Sequence, residues 1–479
     1  MNPGLKSDPS SFKRSKSVMN MNKQKPQFSR RNFLMSAAAV AVAPSFLMNT
    51  VASAKIPGRK LRHACIGVGG MGGHDLSNFK SHPDVEIVAI CDVDSNILKT
   101  AAEGLPGVRT YTDWRELLKK EGKNIDSVNV TVPDHTHFSV AYQAIKAGKH
   151  VYCQKPMCHN VAEVRSLTNI AIKKGVVTQL GTQVASTACD RTGVQLIKDG
   201  VIGKIKHAYL CSNRPGAIAD YRLVGPRPAE SQEAPANLNW DLWIGSAPMR
   251  PYAPAIYHPA KWRAWQDFGT GWSGDIGCHI FDAVWKGLGL KAPISVIAEV
   301  QQSWKDSPER RGDTWPQGDH MTWIFPGNAY TESDKLTLEW FDGEIYPPAD
   351  VRALYSLDNY PGECAMLIGT EGALLIPHGG EMPVLLPEAK FKDKSFKKFE
   401  SRNHYHHFVD ACLGGEKTES HFAQSGPMTE AILLGTVAIK VPNQLLQWDA
   451  AKMKFPNYPE ANKYLRRKYR KGWEIEGAF

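Results

Sequence analysis

The tightest constraint on this chain is a glycine cluster set between two apolar runs. Leu61-Arg62-His63-Ala64-Cys65-Ile66 reads as a strand. Gly67-Val68-Gly69-Gly70-Met71-Gly72 follows in the pattern G-x-G-x-x-G, and a helix-like stretch continues to about Phe79. A second apolar run, Val85 to Cys91, ends at Asp92, 20 residues past Gly72. Gly67 permits the tight turn, Gly69 lets backbone approach a diphosphate, and Gly72 lets the helix pack on the strand. An acid at the end of the second strand accepts hydrogen bonds from ribose hydroxyls and repels a 2′-phosphate. The set predicts a dinucleotide site, with NAD favoured over NADP. A packing turn would account for the glycines but not for Asp92.

The alternation continues. Ile125 to Val132 reads as a buried strand ending at Pro133, and Phe138 to Ala147 as a helix with Gly148 as its C-cap. His150 to Cys153 is a strand ending at Gln154-Lys155-Pro156, and Val176 to Gly181 is the next. Strand–helix repeats at this spacing imply a parallel sheet with ligands at the carboxyl ends. Pro133, His135, His137, Gln154 and Lys155 lie at such ends and join Gly67, Gly69, Gly70, Met71, Gly72 and Asp92 as cofactor-site candidates. For the two histidines a packing role is an equal alternative.

Beyond Val184 the pattern changes. Ile205 to Ser212, Ile294 to Val300, His320 to Ile324, Leu336 to Phe341 and Gly372 to Leu375 look like strands without regular helices between them. The expected fold is an α/β Rossmann domain with a parallel sheet over 55–184, then an α+β domain with an open, mainly antiparallel sheet over 185–479. The stretch 213–268 is rich in Pro, Trp, Tyr and Arg, and its length suits a wall over a site. Within it, Tyr257, Trp262 and Arg263 are candidates for substrate contact. Aromatic rings stack on sugar faces and arginine binds carboxylates or hydroxyls; plain wall packing is the alternative.

Gly271-Trp272-Ser273-Gly274-Asp275-Ile276-Gly277-Cys278-His279 is the sharpest chemical motif. With Ser273 as N-cap, Asp275 and His279 fall four apart on one helix face. A helix N-terminus disfavours imidazolium, which would leave His279 neutral and able to take a proton. Alone, such a pair is more often a surface contact. Beside a dinucleotide domain and Lys155 it predicts proton chemistry.

The first 54 residues stand apart. Ser29-Arg30-Arg31-Asn32-Phe33-Leu34-Met35 precedes a short apolar run and the A-x-A site Ala52-Ser53-Ala54, the pattern of a twin-arginine signal peptide. It predicts passage through the twin-arginine machinery as a folded protein, a periplasmic or otherwise exported location, and no stable membrane association after cleavage. These residues hold eight basic side chains against Asp8, and so +7 of the formal net charge of +10. The remainder calls for no nucleic-acid partner. The basic cluster Arg466, Arg467, Lys468, Arg470 and Lys471 reads as a solvated terminal face. Nine cysteines without a C-x-x-C pair fit folding in a reducing compartment. No metal set is expected; His404, His406 and His407 crowd a helix start.

Taken together, these motifs resemble the Gfo/Idh/MocA family, which includes glucose–fructose oxidoreductase and inositol dehydrogenase. The resemblance rests on Gly67 to Gly72, Lys155-Pro156, Asp275 with His279, and the ending from His407-Phe408-Val409-Asp410 through Gly426-Pro427 to Glu430. Trp240-Asp241-Leu242-Trp243, Tyr257-His258-Pro259, Trp262-Arg263 and Asp267 to Gly271 resemble an exported branch of it. The family implies His279 as acid/base, Lys155 as donor to the substrate oxygen and Asp275 as an orienting group. It also implies a sugar, cyclitol or glycoside substrate, a tightly held NAD, and a homodimer or homotetramer. Its usual Glu before Lys-Pro is Gln154 here. Some relatives use NAD transiently to break glycosidic bonds, though those tend to lose Lys-Pro; a binding module with decayed chemistry is a third alternative.

Overall fold

The computed structural model describes residues 58–214, 232–259 and 261–479. The leader, with Arg30, Arg31 and Ala54, lies outside them. Six strands form the first sheet: β1 (Leu61–Ile66), β2 (Val85–Cys91), β3 (Arg109–Tyr111), β4 (Ser127–Val130), β5 (His150–Cys153) and β6 (Thr178–Leu180). All run parallel in the order β3-β2-β1-β4-β5-β6. Helices cover both faces, so every residue of β4 and β6 is buried, as an all-parallel sheet demands. The helices are α1 (Met71–Lys80), α2 (Ser95–Glu103), α3 (Trp114–Glu121), α4 (Asp134–Lys146) and α5 (Val161–Lys174). Asp94 caps α2 by accepting from Asn96 N and Ile97 N, and Gly175, at φ +62°, closes α5. Strand order reverses between β1 and β4, which opens a crevice at their carboxyl ends.

The second sheet has eight strands in the order β13-β12-β11-β7-β10-β9-β8-β14. They are β7 (Ile205–Ser212), β8 (Ser295–Val300), β9 (Asp319–Pro326), β10 (Lys335–Asp342), β11 (Glu363–Gly369), β12 (Ala373–Pro377), β13 (Val384–Leu386) and β14 (Leu446–Gln447). Its pairings are antiparallel except β7 with β10, so the sheet is mixed. The sequence reading missed β11, a short apolar run without alternation; in space it lies beside β7, where Cys364 faces Cys211. One face is covered by α6 (Ala188–Lys198), α7 (Gly271–Leu288) and α9 (Phe422–Lys440). Trp323 and Trp340 are buried there against Phe281.

Along the chain the first sheet ends with β6 at Leu180 and the second begins with β7 at Ile205, but the chain's end returns to the first. On α8 (His404–Cys412), Tyr405 and Phe408 pack against Phe79 of α1. Tyr142 Oη donates to Gly477 O at 2.6 Å, and Phe479 stacks on Phe138. Of the basic cluster, Arg466, Lys468 and Lys471 are exposed, but Arg467 turns inward and corrects the reading at that position. Its Nε donates to the buried Glu163 at 2.8 Å and its Nη2 to Ser246 Oγ at 2.8 Å. It thereby clamps the chain's end to the buried Glu163 of the first domain.

The wall sequence builds a small core of its own. Leu238, Trp243, Tyr257, Trp262, Trp265 and Phe268 cluster around Arg250, whose side chain is 1% exposed. The Arg250 guanidinium meets Asp267 at 2.5 Å and Asp313 at 2.6 Å and lies over three aromatic rings. The wall leans on the first domain beside Asp92: Ser95 N donates to Asn237 O at 2.8 Å and Asn237 Nδ2 to Asp94 at 2.9 Å.

Candidate active site

A cleft of about 700 Å³ runs along the crevice between β1 and β4 and on to the second domain. Its floor is the glycine turn. Gly67 adopts φ +82°, and a Cβ there would stand 2.0 Å from Thr131 O; one on Gly72 would stand 2.2 Å from Gly67 O. One on Gly69 would meet Ile97 Cδ1 at 2.8 Å. Gly70 caps α1 without a side-chain bond, and Met71 opens the helix at the cleft. Asp92 lines the far end. Its carboxylate accepts from Val68 N at 2.9 Å and Asp94 N at 3.0 Å, while burial pushes its pKa upward. A bare backbone turn at a helix start, with a carboxylate at the next strand's end, fits a dinucleotide.

The reacting end forms where three segments meet. Lys155, at the end of β5 and joined to Pro156 by a cis peptide, reaches across to α7, where its Nζ lies 3.0 Å from Asp275 Oδ1. Arg263 Nε approaches the same oxygen at 3.8 Å, and its guanidinium rests on the Trp262 ring at 4.4 Å. His279 lines the cleft one turn beyond Asp275, its Nδ1 buried with no hydrogen-bond partner among the described residues. Burial pushes its pKa well below 6.5, with Lys155 and then His378 adding to the effect. The expected helix-dipole cause is replaced by burial, because α7 starts at Gly271 and His279 lies over two turns in. Ser273 is not the N-cap. Thr270 holds that place, and Ser273 is buried within the first turn with an unpartnered hydroxyl.

Of the other candidates, Pro133, His137, Gln154, Trp262 and Arg263 line the cleft. His137 also ties the Lys155 loop to β4, its two ring nitrogens lying 2.6 Å from Pro156 O and 2.7 Å from Val132 O. Burial pushes its pKa down to about 4, against the pull of those carbonyls. His135 lies outside the cleft. It is fully buried, bonded through Nε2 to Trp243 O at 3.1 Å and packed on Phe268. Tyr257 is corrected likewise: it is 2% exposed inside the wall's core, between Trp240, Trp265 and Phe268. An aromatic residue reads the same in sequence whether it stacks on a ligand or on its neighbours.

Three groups were missed. Asp134 follows Pro133 into the cleft and accepts from Thr270 Oγ1 at 3.1 Å. Burial, then the charge of Asp275, push its pKa upward. Its place directly after a strand end was the available signal. Arg214 and His378 enter from the second sheet, the His378 ring 5.2 Å from that of His279 and Arg214 Nε 3.4 Å from Glu363. No local pattern links them to the motif on α7.

Residues 61–182 match the model of an oxidoreductase family with an NAD-binding Rossmann fold, and residues 190–353 match that family's C-terminal alpha/beta domain. The chain is 31% identical over 189 residues to a glycosyl hydrolase family 109 protein of Stenotrophomonas maltophilia, covering 37% of this chain and 40% of that one. It is 31% identical over 144 residues to a myo-inositol 2-dehydrogenase of Thermotoga maritima, covering 30% and 42%. The matches thus span about two fifths of these curated relatives. An inositol dehydrogenase homologue from Azotobacter vinelandii, solved with NADH and myo-inositol, shares the fold at a TM-score of 0.55 and 16% identity, over 83% of this chain and 100% of that one. The two family models together span more than half of the chain and both contribute to the cleft: the chain belongs to the Gfo/Idh/MocA oxidoreductase family, an NAD-binding Rossmann domain followed by the family's α/β domain.

Proposed function

We propose that this protein transfers a hydride between a secondary hydroxyl carbon of a sugar, cyclitol or glycoside and NAD. One observation carries the reading: Lys155 from the first domain meets Asp275 of the second at 3.0 Å, with His279 in the same cleft as the glycine turn. The turn at Gly67 to Gly72 would hold the diphosphate, Asp92 the adenosine ribose, and Gln154 and Lys155 the nicotinamide end. Bound there, the nicotinamide supplies the acceptor or donor of the hydride. Lys155 donates a hydrogen bond to the reacting oxygen and is held toward it by Asp275. His279, kept neutral by burial, takes the hydroxyl proton on its imidazole. Trp262 and Arg263 close the substrate side and keep water from the reacting atoms.

Two further parts belong to the proposal. Arg30-Arg31 and the Ala54 site support export in the folded state, which suits a cofactor carried along and recycled by a second substrate. Assembly with further copies as a dimer or tetramer, with half-buried Tyr209 on the sheet face away from α6, α7 and α9, completes the proposal. The test is to incubate the purified full chain with NAD and a panel of sugars and cyclitols deuterated at the carbinol carbon. Transfer of the label to the nicotinamide is expected; a cofactor-binding chain that reduces nicotinamide with none of them refutes the reading.

The match to a family 109 glycosyl hydrolase favours a second reading, transient oxidation followed by elimination of an aglycone and reduction. Release of aglycone from a chromogenic glycoside without net NADH would select it.

A further inference from the structure

One buried charge behind the cleft has no part in the reaction above. Asp75 on α1 is 0% exposed. Its carboxylate receives hydrogen bonds from Thr131 Oγ1 at 2.7 Å, from Tyr405 Oη at 2.7 Å, and from Gln154 Nε2 at 3.0 Å to each oxygen. These donors come from the end of β4, from α8 and from the end of β5. A further chain leads in behind Thr131. Asn129 Nδ2 donates to Thr131 Oγ1 at 2.9 Å, His63 Nε2 lies 3.1 Å from Asn129 Oδ1, and Ser127 Oγ lies 2.7 Å from His63 Nδ1. With Asn129 donating to Thr131, the Thr131 proton is directed to Asp75, and every bond points toward one carboxylate. Burial raises the Asp75 pKa, and the bonds from Thr131, Gln154 and Tyr405 hold it down. Among the described residues no Lys or Arg forms an ion pair with it; of the charged groups, His74, one residue back on α1, adds a pull downward.

A buried carboxylate without a cation is costly. An amide here would meet Gln154 and the two hydroxyls with less desolvation, so the charge needs another counterpart. Gln154 is the link to the cleft. Its Nε2 is committed to Asp75, its Oε1 accepts from Lys155 N at 3.3 Å, and Gly181 leaves the room it needs, since a Cβ there would stand 2.5 Å from that oxygen. The amide is therefore fixed in orientation at the cleft, beside Lys155. Nicotinamide is cationic when oxidised and neutral when reduced.

We propose that Asp75 is a positioning residue: it fixes Gln154 at the cleft and supplies the buried negative charge by which the site favours oxidised over reduced nicotinamide. This rests on the dehydrogenase reading above. A unit charge acting through protein over several ångströms changes affinity by about tenfold.

The test is calorimetric titration of the full chain with NAD and with NADH, together with thermal unfolding. Asp75→Asn is expected to weaken NAD by about tenfold and NADH by less than about threefold. Gln154→Glu sets two carboxylates face to face and should lower the unfolding temperature. Asp75→Asn with Gln154→Glu moves the charge to the other partner and should restore both the unfolding temperature and the preference for NAD. Equal weakening of both forms by Asp75→Asn, no change in either, or a double variant as indifferent as Asp75→Asn alone would overturn the proposal. Where Asp75→Asn does not fold, Tyr405→Phe removes one donor and keeps the ring packed; the preference should shrink by about two- to threefold, and an unchanged preference overturns the proposal. A parent chain that binds neither form would overturn the dinucleotide reading with it.

Discussion

The two sides of the cleft are built by different means. On the nucleotide side the backbone itself is the ligand surface: Gly67, Gly69, Gly70 and Gly72 follow one another, and the space they leave is set by peptide atoms such as Thr131 O and Gly67 O. On the substrate side the backbone only carries side chains, and these come from the end of β5, the start of α7, the wall, the end of β7 and the end of β12. The first side can be damaged by adding one carbon. The second is held by charge and aromatic packing, as where Arg250 joins Asp267 and Asp313 beneath three rings. Under the proposed function, the contrast teaches that the backbone turn chiefly holds the cofactor while the side chains opposite chiefly use it.

The strongest way to break this division is His279→Ala. It should lower kcat by about 10²- to 10⁴-fold while leaving NAD affinity unchanged, as read by single-turnover kinetics beside cofactor titration. A parallel loss of NAD affinity would erase the distinction. Next, Arg250→Met should cost about 3 kcal/mol of stability in urea unfolding, because it removes the buried guanidinium that joins Asp267 to Asp313 beneath an aromatic cluster. An unchanged midpoint would mean that packing alone holds the wall. Gly72→Ala probes the opposite side. Its Cβ would stand 2.2 Å from Gly67 O, and overpacking of this kind costs about 1–3 kcal/mol. NAD affinity should fall, while turnover at saturating cofactor stays near that of the parent.

The smallest expected effect is a flat line. A general base works only when unprotonated, so activity is lost as pH falls through the base's own pKa in the folded protein. Burial and Lys155 hold His279 well below 6.5. Log kcat/KM should therefore stay level as pH falls from about 8 through 6.5 and decline only further down. A midpoint at 6.5 would put the base in an exposed position.

The same division explains what was legible. β2 and β5 have the bounds their apolar runs suggested, and α1 begins and ends close to its expected limits. The second sheet was legible only in part, since β11 joins β7 across about 150 residues, a pairing that no pattern within either segment encodes. Lys155, Asp275 and His279 were each nameable from short motifs, yet their residue types allowed surface contacts equally well. Ser273 and Arg467 were misread, and His135 and Tyr257 take the packing role that was their alternative, for one reason: each side chain is chemically able to cap, bind or face solvent, and its neighbours in space select between these.

By itself the sequence determined the glycine turn, the acid at the end of β2 and the strand–helix alternation, because these follow from φ/ψ sterics and side-chain periodicity over a few residues. Only the tertiary structure decided that Lys155 meets Asp275, that Tyr257 faces inward, and that the carboxylate behind Gln154 is Asp75. Those pairings join residues 79 or more positions apart, or depend on which face of a segment is covered. Such choices are made by the packing of whole elements, and no local energy term encodes them.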